Sequence, residues 1–174
     1  GTPNFGVPAS TNRKYDLPSG DPGQGDQYEA ENAILEGGAV FSDYNVNYYG
    51  EGYVRVPNSM GAAVSFVVNA KEAGDYLAAV RYAYGVKADG ESTNRPTNQL
   101  PGRASMNIYV NGKAVDTLQM DKTSTTWDEW FTGTKRLALK EGTNLITYSV
   151  EEGCVGNVHL DMLAVRKADV PYTE

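Results

Sequence analysis

The stretch Met106-Asn107-Ile108-Tyr109-Val110-Asn111-Gly112-Lys113 decides the fold class of this chain. Its first five residues alternate between apolar and polar or amphipathic side chains, which is the period of a β-strand with one buried face. Asn111-Gly112 follows at once, and both residues tolerate the positive φ angles that a two-residue hairpin turn requires. The stretch therefore predicts a β-hairpin whose second strand begins at Lys113.

Short alternating segments separated by turns continue on both sides of this hairpin. The predicted strands are 28–35, 39–41, 52–56, 62–69, 76–84, 106–110, 113–120, 130–139, 144–150 and 158–166. Short strands without a sustained 3.6-residue period are typical of an all-β protein. The sequence predicts an antiparallel β-sandwich, or jelly roll.

Length and charge limit the classes of partner. The chain has 174 residues, enough for one domain with a sizeable core, and its formal net charge is −7. No Lys/Arg cluster and no apolar run of about 20 residues occurs, so we expect neither a nucleic-acid nor a membrane partner. The single cysteine, Cys154, excludes an internal disulfide. We expect a monomer.

Three segments are expected along the chain. Residues 1–26 are rich in Pro, Gly, Asn, Ser and Asp, which is typical of a linker or a surface-draped arm. Residues 27–168 are expected to form the β-sandwich, and residues 169–174 a C-terminal tail or linker.

Three carboxylates come from the two ends of the predicted domain. Glu29 and Glu31 are two apart, so in an extended strand they point to the same side, and Asp161 joins them if the last strand pairs beside the first. Three oxygen donors in one place suit Ca²⁺. Two alternatives stay open: solvated charges on an edge strand, or a glycosidase acid/base pair. The second requires carboxyls about 5–5.5 Å or 6.5–9.5 Å apart across a cleft, and no cleft is evident here.

The two tryptophans are three residues apart and should face different ways in an extended strand. Trp127 lies in a polar loop and is expected to face solvent, whereas Trp130 begins an apolar strand and is expected to face the core. An exposed flat ring can pack on the C–H face of a sugar. The alternative is that both rings belong to the core.

A set of motifs occurs in the order seen in a known family. They are Tyr28-Glu29-Ala30-Glu31-Asn32, Gly50-Glu51-Gly52-Tyr53-Val54, Ala73-Gly74-Asp75-Tyr76, Val80-Arg81-Tyr82-Ala83, Ile108-Tyr109-Val110-Asn111-Gly112, Trp127-Asp128-Glu129-Trp130, Glu141-Gly142-Thr143-Asn144 and Leu160-Asp161. Across about residues 27–167 the chain resembles carbohydrate-binding module family 35, with families 6 and 36 as near relatives.

The resemblance implies a calcium-containing β-jelly roll without catalytic residues, appended to a secreted glycoside hydrolase, lyase or transglycosylase. By motif match, Glu29, Glu31 and Asp161 fall on the ligands of a structural calcium. Loop carbonyls near Gly50 and Gly52 would complete the shell.

The resemblance also indicates sugar contacts. Trp127 matches the aromatic residue that often packs on the sugar. The family usually has Asn directly before the Leu-Asp pair, whereas this chain has His159, with Asn157 two residues earlier and expected on the same strand face. An unperturbed His titrates near pH 6.5, so a sugar contact by His159 predicts an affinity that changes between about pH 5 and 8.

Further candidates lie in two long loops. Tyr48, Tyr49 and Tyr84 are candidates for a second sugar-binding ring, although tyrosines also cap sandwich edges. Asp89 and Glu91 are candidates for a second calcium in the sugar site. Family members recognise uronic acids, mannans, galactose-containing chains and α-glucans, so the resemblance leaves the sugar open.

The sequence thus predicts a non-catalytic module that binds an oligo- or polysaccharide and holds a parent catalytic domain, in the same chain, near its substrate. The first alternative is a structural β-sandwich that packs on that catalytic domain and binds no glycan. The second is a small glycan-acting enzyme, which would need a cleft with two suitably spaced acids.

Overall fold

The computed structural model describes residues 26–45, 47–48, 50–85, 102–123 and 127–168 of the chain. In chain order, the strands are β1 (Asp26–Glu29), β2 (Ile34–Glu36), β3 (Val40–Ser42), β4 (Tyr53–Val56), β5 (Ala63–Ala70), β6 (Gly74–Ala83), β7 (Arg103–Val110), β8 (Lys113–Asp121), β9 (Phe131–Leu139), β10 (Gly142–Ser149) and β11 (Val158–Lys167). Apart from Asp26, which begins β1, the predicted arm at 1–26 and tail at 169–174 lie outside the described residues.

The strands form two antiparallel sheets. One has the order β3-β4-β11-β6-β9, with β1 also paired to β11, and the other has the order β2-β5-β10-β7-β8. The predicted antiparallel β-sandwich is therefore confirmed, while the jelly-roll connectivity stays a prediction. Within the described ranges, no helix has the length and apolar character that crossing a membrane requires.

The core lies between the two sheets because alternate residues of each strand face inward. Full burial of one large apolar side chain contributes roughly 1.5–3 kcal/mol, so this alternation supplies most of the driving force for folding. Both inward-facing rows predicted from the sequence belong to the core: Val64, Phe66 and Val68 of β5, and Tyr76, Ala78, Val80 and Tyr82 of β6.

The predicted hairpin joins β7 to β8. Asn111 and Gly112 have φ angles of 52° and 83°, the pair of positive values that the turn requires. Asn111 also ties the turn to β10, because its backbone N–H donates to the Leu145 carbonyl at 2.8 Å and its side-chain oxygen accepts from the Leu145 N–H at 2.8 Å.

The predicted first strand, 28–35, is wrong as a single element. A 3₁₀ turn at Ala30–Asn32 divides it into β1 and β2. β1 pairs with β11 in one sheet, whereas β2 pairs with β5 in the other. The chain crosses between the sheets at this turn, and no Gly or Pro marks the crossing in the sequence.

One edge of β11 is shared by two strands placed end to end. β4 pairs with Val158–Leu160, and β1 pairs with Met162–Val165. The pairing of β11 with β6 shifts register between Leu160 and Met162, so Asp161 occupies a β-bulge. Bulges redirect side chains next to functional sites, and this one lies where β1 and β4 meet.

Candidate functional site

The three predicted carboxylates meet beside this bulge; they are called the acidic site below. Glu29, at the end of β1, is 1% exposed and pairs across the sheet with Met162. Asp161, which directly precedes Met162, is 0% exposed. Glu31 lies in the 3₁₀ turn that follows β1. The two glutamates are therefore brought together by a turn, and the expectation that they share one face of an extended strand is wrong.

Glu31 carries the clearest electrostatic signature of the site. Both of its carboxylate oxygens are shielded from solvent and lack a hydrogen-bonding partner among the described residues. Burial raises the pKa of Glu31 to about 9, and the adjacent Glu29 carboxylate and the charge of Asp161 act in the same direction. A buried carboxylate of this kind is costly unless a positive charge compensates it.

Gly50 approaches the acidic site from the loop before β4. It has a φ of 72°, and a Cβ at this position would overlap the Glu29 carboxylate. The glycine therefore lets the backbone lie directly against that carboxylate. Gly52 is different, since a Cβ there would overlap the ring of Phe41 and the Ser42 carbonyl of β3. The close packing at Gly52 is thus explained by strand pairing.

The donor set of the acidic site fits a hard cation in part. Within the described residues, no set of three or more His, Cys, Asp and Glu side chains forms a metal site on its own. Asp161 also forms an ion pair with Arg81, at 2.6 Å. A cation here would need main-chain carbonyls or water besides carboxylates, and Ca²⁺ accepts such mixed oxygen shells.

Aromatic rings gather on the outer side of the same sheet, in what we call the aromatic surface: Tyr48, Tyr53, Trp127, Trp130 and His159. His159 stacks on Tyr53 with ring centroids 4.7 Å apart and lies 4.2 Å from Trp127. The Trp130 ring meets the Tyr53 ring edge-on, with centroids 5.4 Å apart, and the Tyr48 centroid lies 5.7 Å from that of Tyr53. Tyr48, Trp127 and Trp130 remain partly exposed.

His159 is more enclosed than a direct ligand contact requires. His159 is 8% exposed, and its shielded Nδ1 has no hydrogen-bond partner among the residues that the structure describes. Burial, assisted by the charge of Arg55, lowers the pKa of His159 to about 3. At that pKa the imidazole is neutral between pH 5 and 8, which argues against the predicted pH dependence of affinity through this residue. What His159 offers to the site is its ring, which supports Trp127.

The predicted orientations of the two tryptophans also need correction. Trp127 packs, partly buried, against the hydrophobic core, and its ring meets Tyr84 edge-on at 6.2 Å. Trp130 is also partly buried, but it lies beside Tyr53 and under the Arg81 guanidinium, 5.2 Å from the ring. Both rings reach His159, because strand alternation does not govern the loop that carries Trp127.

The remaining sugar candidates are placed differently from one another. Tyr84 is 0% exposed and cannot touch a ligand directly, so its expected role is corrected to that of a support behind Trp127. Asn157 precedes β11 with a φ of 65°, so it does not share a strand face with His159 as predicted. Tyr48 lies on the aromatic surface, whereas Tyr49 falls outside the described residues. Asp89 and Glu91, the candidates for a second calcium, also fall outside them.

Two residues of the site were missed at the sequence level. Tyr53 contacts three other rings of the aromatic surface, and its hydroxyl donates to Asn45 at 2.8 Å. Arg81 contacts both Asp161 and Trp130. The signal was present: the inward-facing apolar neighbours of each residue place Tyr53 and Arg81 on the outer face of their strands.

Known proteins match this chain at the level of sequence and of fold. A scan against protein-family models returned no match. The 1,6-alpha-glucosyltransferase of Sporosarcina globispora is 34% identical over 151 residues, which cover 83% of this chain and 11% of that enzyme. A family 35 carbohydrate binding module from Clostridium thermocellum is 29% identical with a TM-score of 0.67, and the match covers 82% of this chain and 97% of that module. The chain is similar in sequence and fold to this family 35 module.

Part of a larger enzyme also matches this chain. The cycloisomaltooligosaccharide glucanotransferase of a Paenibacillus species, solved with cycloisomaltoheptaose, is 27% identical with a TM-score of 0.68, and the match covers 82% of this chain and 18% of that protein. The chain spans 11% to 14% of the length of the curated relatives it matches. It corresponds to an accessory module and not to a catalytic domain.

Proposed function

We propose that this module binds an α-1,6-linked glucan on its aromatic surface and thereby holds the catalytic domain of a secreted enzyme near its substrate. The observation that carries the proposal is a set of partly exposed rings: Trp127 and Trp130 beside His159, and Tyr48 beside Tyr53. The sugar class is taken from the names of the relatives, which include a 1,6-alpha-glucosyltransferase. Tethering raises the effective concentration of the enzyme at the polymer.

The chemistry of the aromatic surface suits a neutral sugar. Flat rings present apolar faces to the C–H face of a pyranose, and the neutral His159 adds no charge that would select an acid. Asn157, half-buried beside β11, is the proposed polar contact for a sugar hydroxyl. Stacking with few hydrogen bonds gives modest affinity, about −4 to −8 kcal/mol, or millimolar to micromolar dissociation constants.

A panel of oligosaccharides tests this proposal. Isomaltoheptaose, maltoheptaose, a mannooligosaccharide and an oligogalacturonide are titrated into the chain in calorimetric experiments at pH 7. Isomaltoheptaose is expected to bind most tightly. Preference for the galacturonide would exclude the proposed ligand class, and absence of binding to every member would exclude glycan binding on this surface.

The acidic site is proposed to hold one structural Ca²⁺, with Glu29, Glu31 and Asp161 as ligands and carbonyls near Gly50 and Gly52 completing the shell. The support is the uncompensated Glu31 carboxylate and the close approach of Gly50 to Glu29. A bound calcium would neutralise the mutual repulsion of the carboxylates. At 100 times its dissociation constant it would add about 2.7 kcal/mol of stability, so EDTA should lower the melting temperature and calcium should restore it.

A structural role on a neighbouring domain is the second candidate. Val40 and Phe41 of the edge strand β3 are each 49% exposed, and Tyr44 just beyond them is 87% exposed. Such a patch can pack against another domain. A module that binds no glycan of the panel but loses its association with the parent catalytic domain on Phe41→Ser would favour this role.

A further inference from the structure

Arg81 joins the acidic site to the aromatic surface. Its Nη1 donates to Asp161 Oδ2 at 2.6 Å and to the Asn47 carbonyl at 2.9 Å. Its guanidinium carbon lies 5.2 Å from the centre of the Trp130 ring, and the side chain is 15% exposed. One planar cation therefore contacts a carboxylate of one site and a ring of the other.

The strand register explains this placement. Val80 and Tyr82 of β6 face the core, so Arg81 between them faces outward. Arg81 pairs across the sheet with Met162, immediately after the bulge at Asp161. The bulge that turns Asp161 into the acidic site thus also brings its carboxylate to Arg81.

The contact with Asn47 extends the connection to the tryptophan loop. Asn47 Nδ2 donates to the Asp128 carbonyl at 2.9 Å, and Asp128 lies between Trp127 and Trp130 in the sequence. Arg81 therefore holds Trp130 directly and the backbone beside Trp127 through one intermediate residue. A small displacement of the guanidinium would therefore change both its contact with Trp130 and its link through Asn47 to the backbone beside Trp127.

Arg81 is held between two attractions. Asp161 Oδ2 binds the guanidinium by an ion pair at 2.6 Å on the acidic side, and the ring of Trp130 lies 5.2 Å from the guanidinium carbon. A divalent cation bound beside Asp161 would share this carboxylate and weaken its pull on the guanidinium, which would then pack more closely on Trp130 through cation–π attraction. The cation would thereby change the surface that this ring offers to a ligand.

We propose that Arg81 is a positioning residue that couples cation binding at the acidic site to glycan binding at the aromatic surface. The inference rests on the proposed function, because both ligands belong to it. Coupling between two sites is reciprocal, so calcium tightens glycan binding and glycan tightens calcium binding by the same factor. Typical coupling corresponds to about 5- to 150-fold in affinity.

The first test measures glycan affinity with and without calcium. Isomaltoheptaose is titrated into the parent chain, Arg81→Gln and Arg136→Gln, each in calcium and in EDTA. Arg136 is the matched control, since it pairs with Asp75 at 3.1 Å on the same sheet but is exposed. The parent and Arg136→Gln should lose about fivefold or more in affinity in EDTA. Arg81→Gln should bind weakly and equally in both conditions while keeping the calcium-dependent rise in melting temperature.

Arg81→Lys provides a second variant if Arg81→Gln unfolds. Lysine keeps the charge beside Asp161 but lacks the planar fork that contacts Asp161, Asn47 and Trp130 together, so the effect of EDTA on affinity should shrink toward none. An undiminished calcium dependence in both Arg81 variants, or no calcium dependence in the parent, would overturn the proposal.

A second test requires no glycan and separates this inference from the proposed function. In the Trp127→Phe background, Trp130 is the single tryptophan, because the chain has two. Calcium should shift the fluorescence of Trp130 in this background and leave it unchanged when Arg81→Gln is added. A calcium-induced shift in this background, together with no isomaltoheptaose binding by the parent chain, would retain the link through Arg81 and reject the proposed ligand. Equal fluorescence responses with and without Arg81 would reject the link.

Discussion

His159 helps to set the shape of the aromatic surface through contacts between rings. It stacks on Tyr53 and Trp127, its Nδ1 is enclosed, and its lowered pKa keeps it neutral at physiological pH. A bound cation nearby would disfavour the imidazolium further. The residue therefore acts through packing.

The variant His159→Phe tests this interpretation. Phenylalanine keeps a ring between the same neighbours and removes a buried nitrogen that lacks a hydrogen bond, so thermal stability should be equal to or above that of the parent. Affinity for isomaltoheptaose should stay within about threefold, which is less than 1 kcal/mol. His159→Ala is the control that opens a cavity and should lower both quantities. A tenfold loss of affinity in a stable His159→Phe would show that an imidazole nitrogen contacts the sugar.

The variant Gly50→Ala tests the proposed calcium site. Gly50→Ala would place a methyl group on the Glu29 carboxylate, so the melting temperature should no longer rise when calcium replaces EDTA. Gly153→Ala is a matched control, because Gly153 also has a positive φ, 88°, but has open space around its Cα. Both variants carry a backbone cost of about 1–2 kcal/mol, and the control should keep its calcium response. A normal calcium response in Gly50→Ala would place the cation elsewhere.

At the scale of elements, the turn between β9 and β10 is held by one buried side chain. Asn144 is 1% exposed, and its oxygen accepts from the Lys140 N–H at 3.1 Å and from Asn111 Nδ2 at 3.0 Å. Its amide group donates to the carbonyls of Lys140 and Gly142, at 2.9 and 3.1 Å. Asn144 thus joins this turn to the β7–β8 hairpin.

Replacement of Asn144 by alanine should lower the free energy of unfolding by about 2–3 kcal/mol, because buried partners at two turns lose their hydrogen bonds. Urea denaturation measures the change. Asn69→Ala on β5 is the control and should be nearly neutral, since its side chain is exposed. A loss below about 0.5 kcal/mol for Asn144→Ala would mean that the turns hold without it.

Elements with local signals were predictable from the sequence. Asn111-Gly112 alone specifies its turn, and the alternation in β5 and β6 gives their buried faces. The break at Ala30–Asn32 has no such signal, because it arises from the need to cross between the sheets. The bulge at Asp161 likewise depends on two strands meeting end to end beside β11.

At the scale of the whole molecule, the sequence indicated which residues meet in the acidic site and one ring of the aromatic surface, but not how these residues are arranged. The acidic residues and Trp127 were identified by motif, and the structure brings the acidic residues together beside one bulge. The partial burial of both Trp127 and Trp130, the full burial of Tyr84 and the central position of Tyr53 could not be predicted. They depend on packing between loops and strands that are distant in sequence.

The whole molecule is a binding module in which a sandwich fixes two neighbouring sites on one sheet. The catalytic activity belongs to a larger protein in each enzyme relative named above, of which the matched region is a small part. The central claim is therefore that the aromatic surface binds a glycan by stacking.

Calorimetric titration of isomaltoheptaose into the parent and into Trp127→Ala tests this claim most directly. Trp127 is only partly buried, so its removal should cost less stability than the roughly 3–5 kcal/mol of a core tryptophan, and the variant should stay folded. We expect a micromolar to millimolar dissociation constant for the parent and no measurable binding to folded Trp127→Ala. Binding of equal strength by both proteins would contradict it.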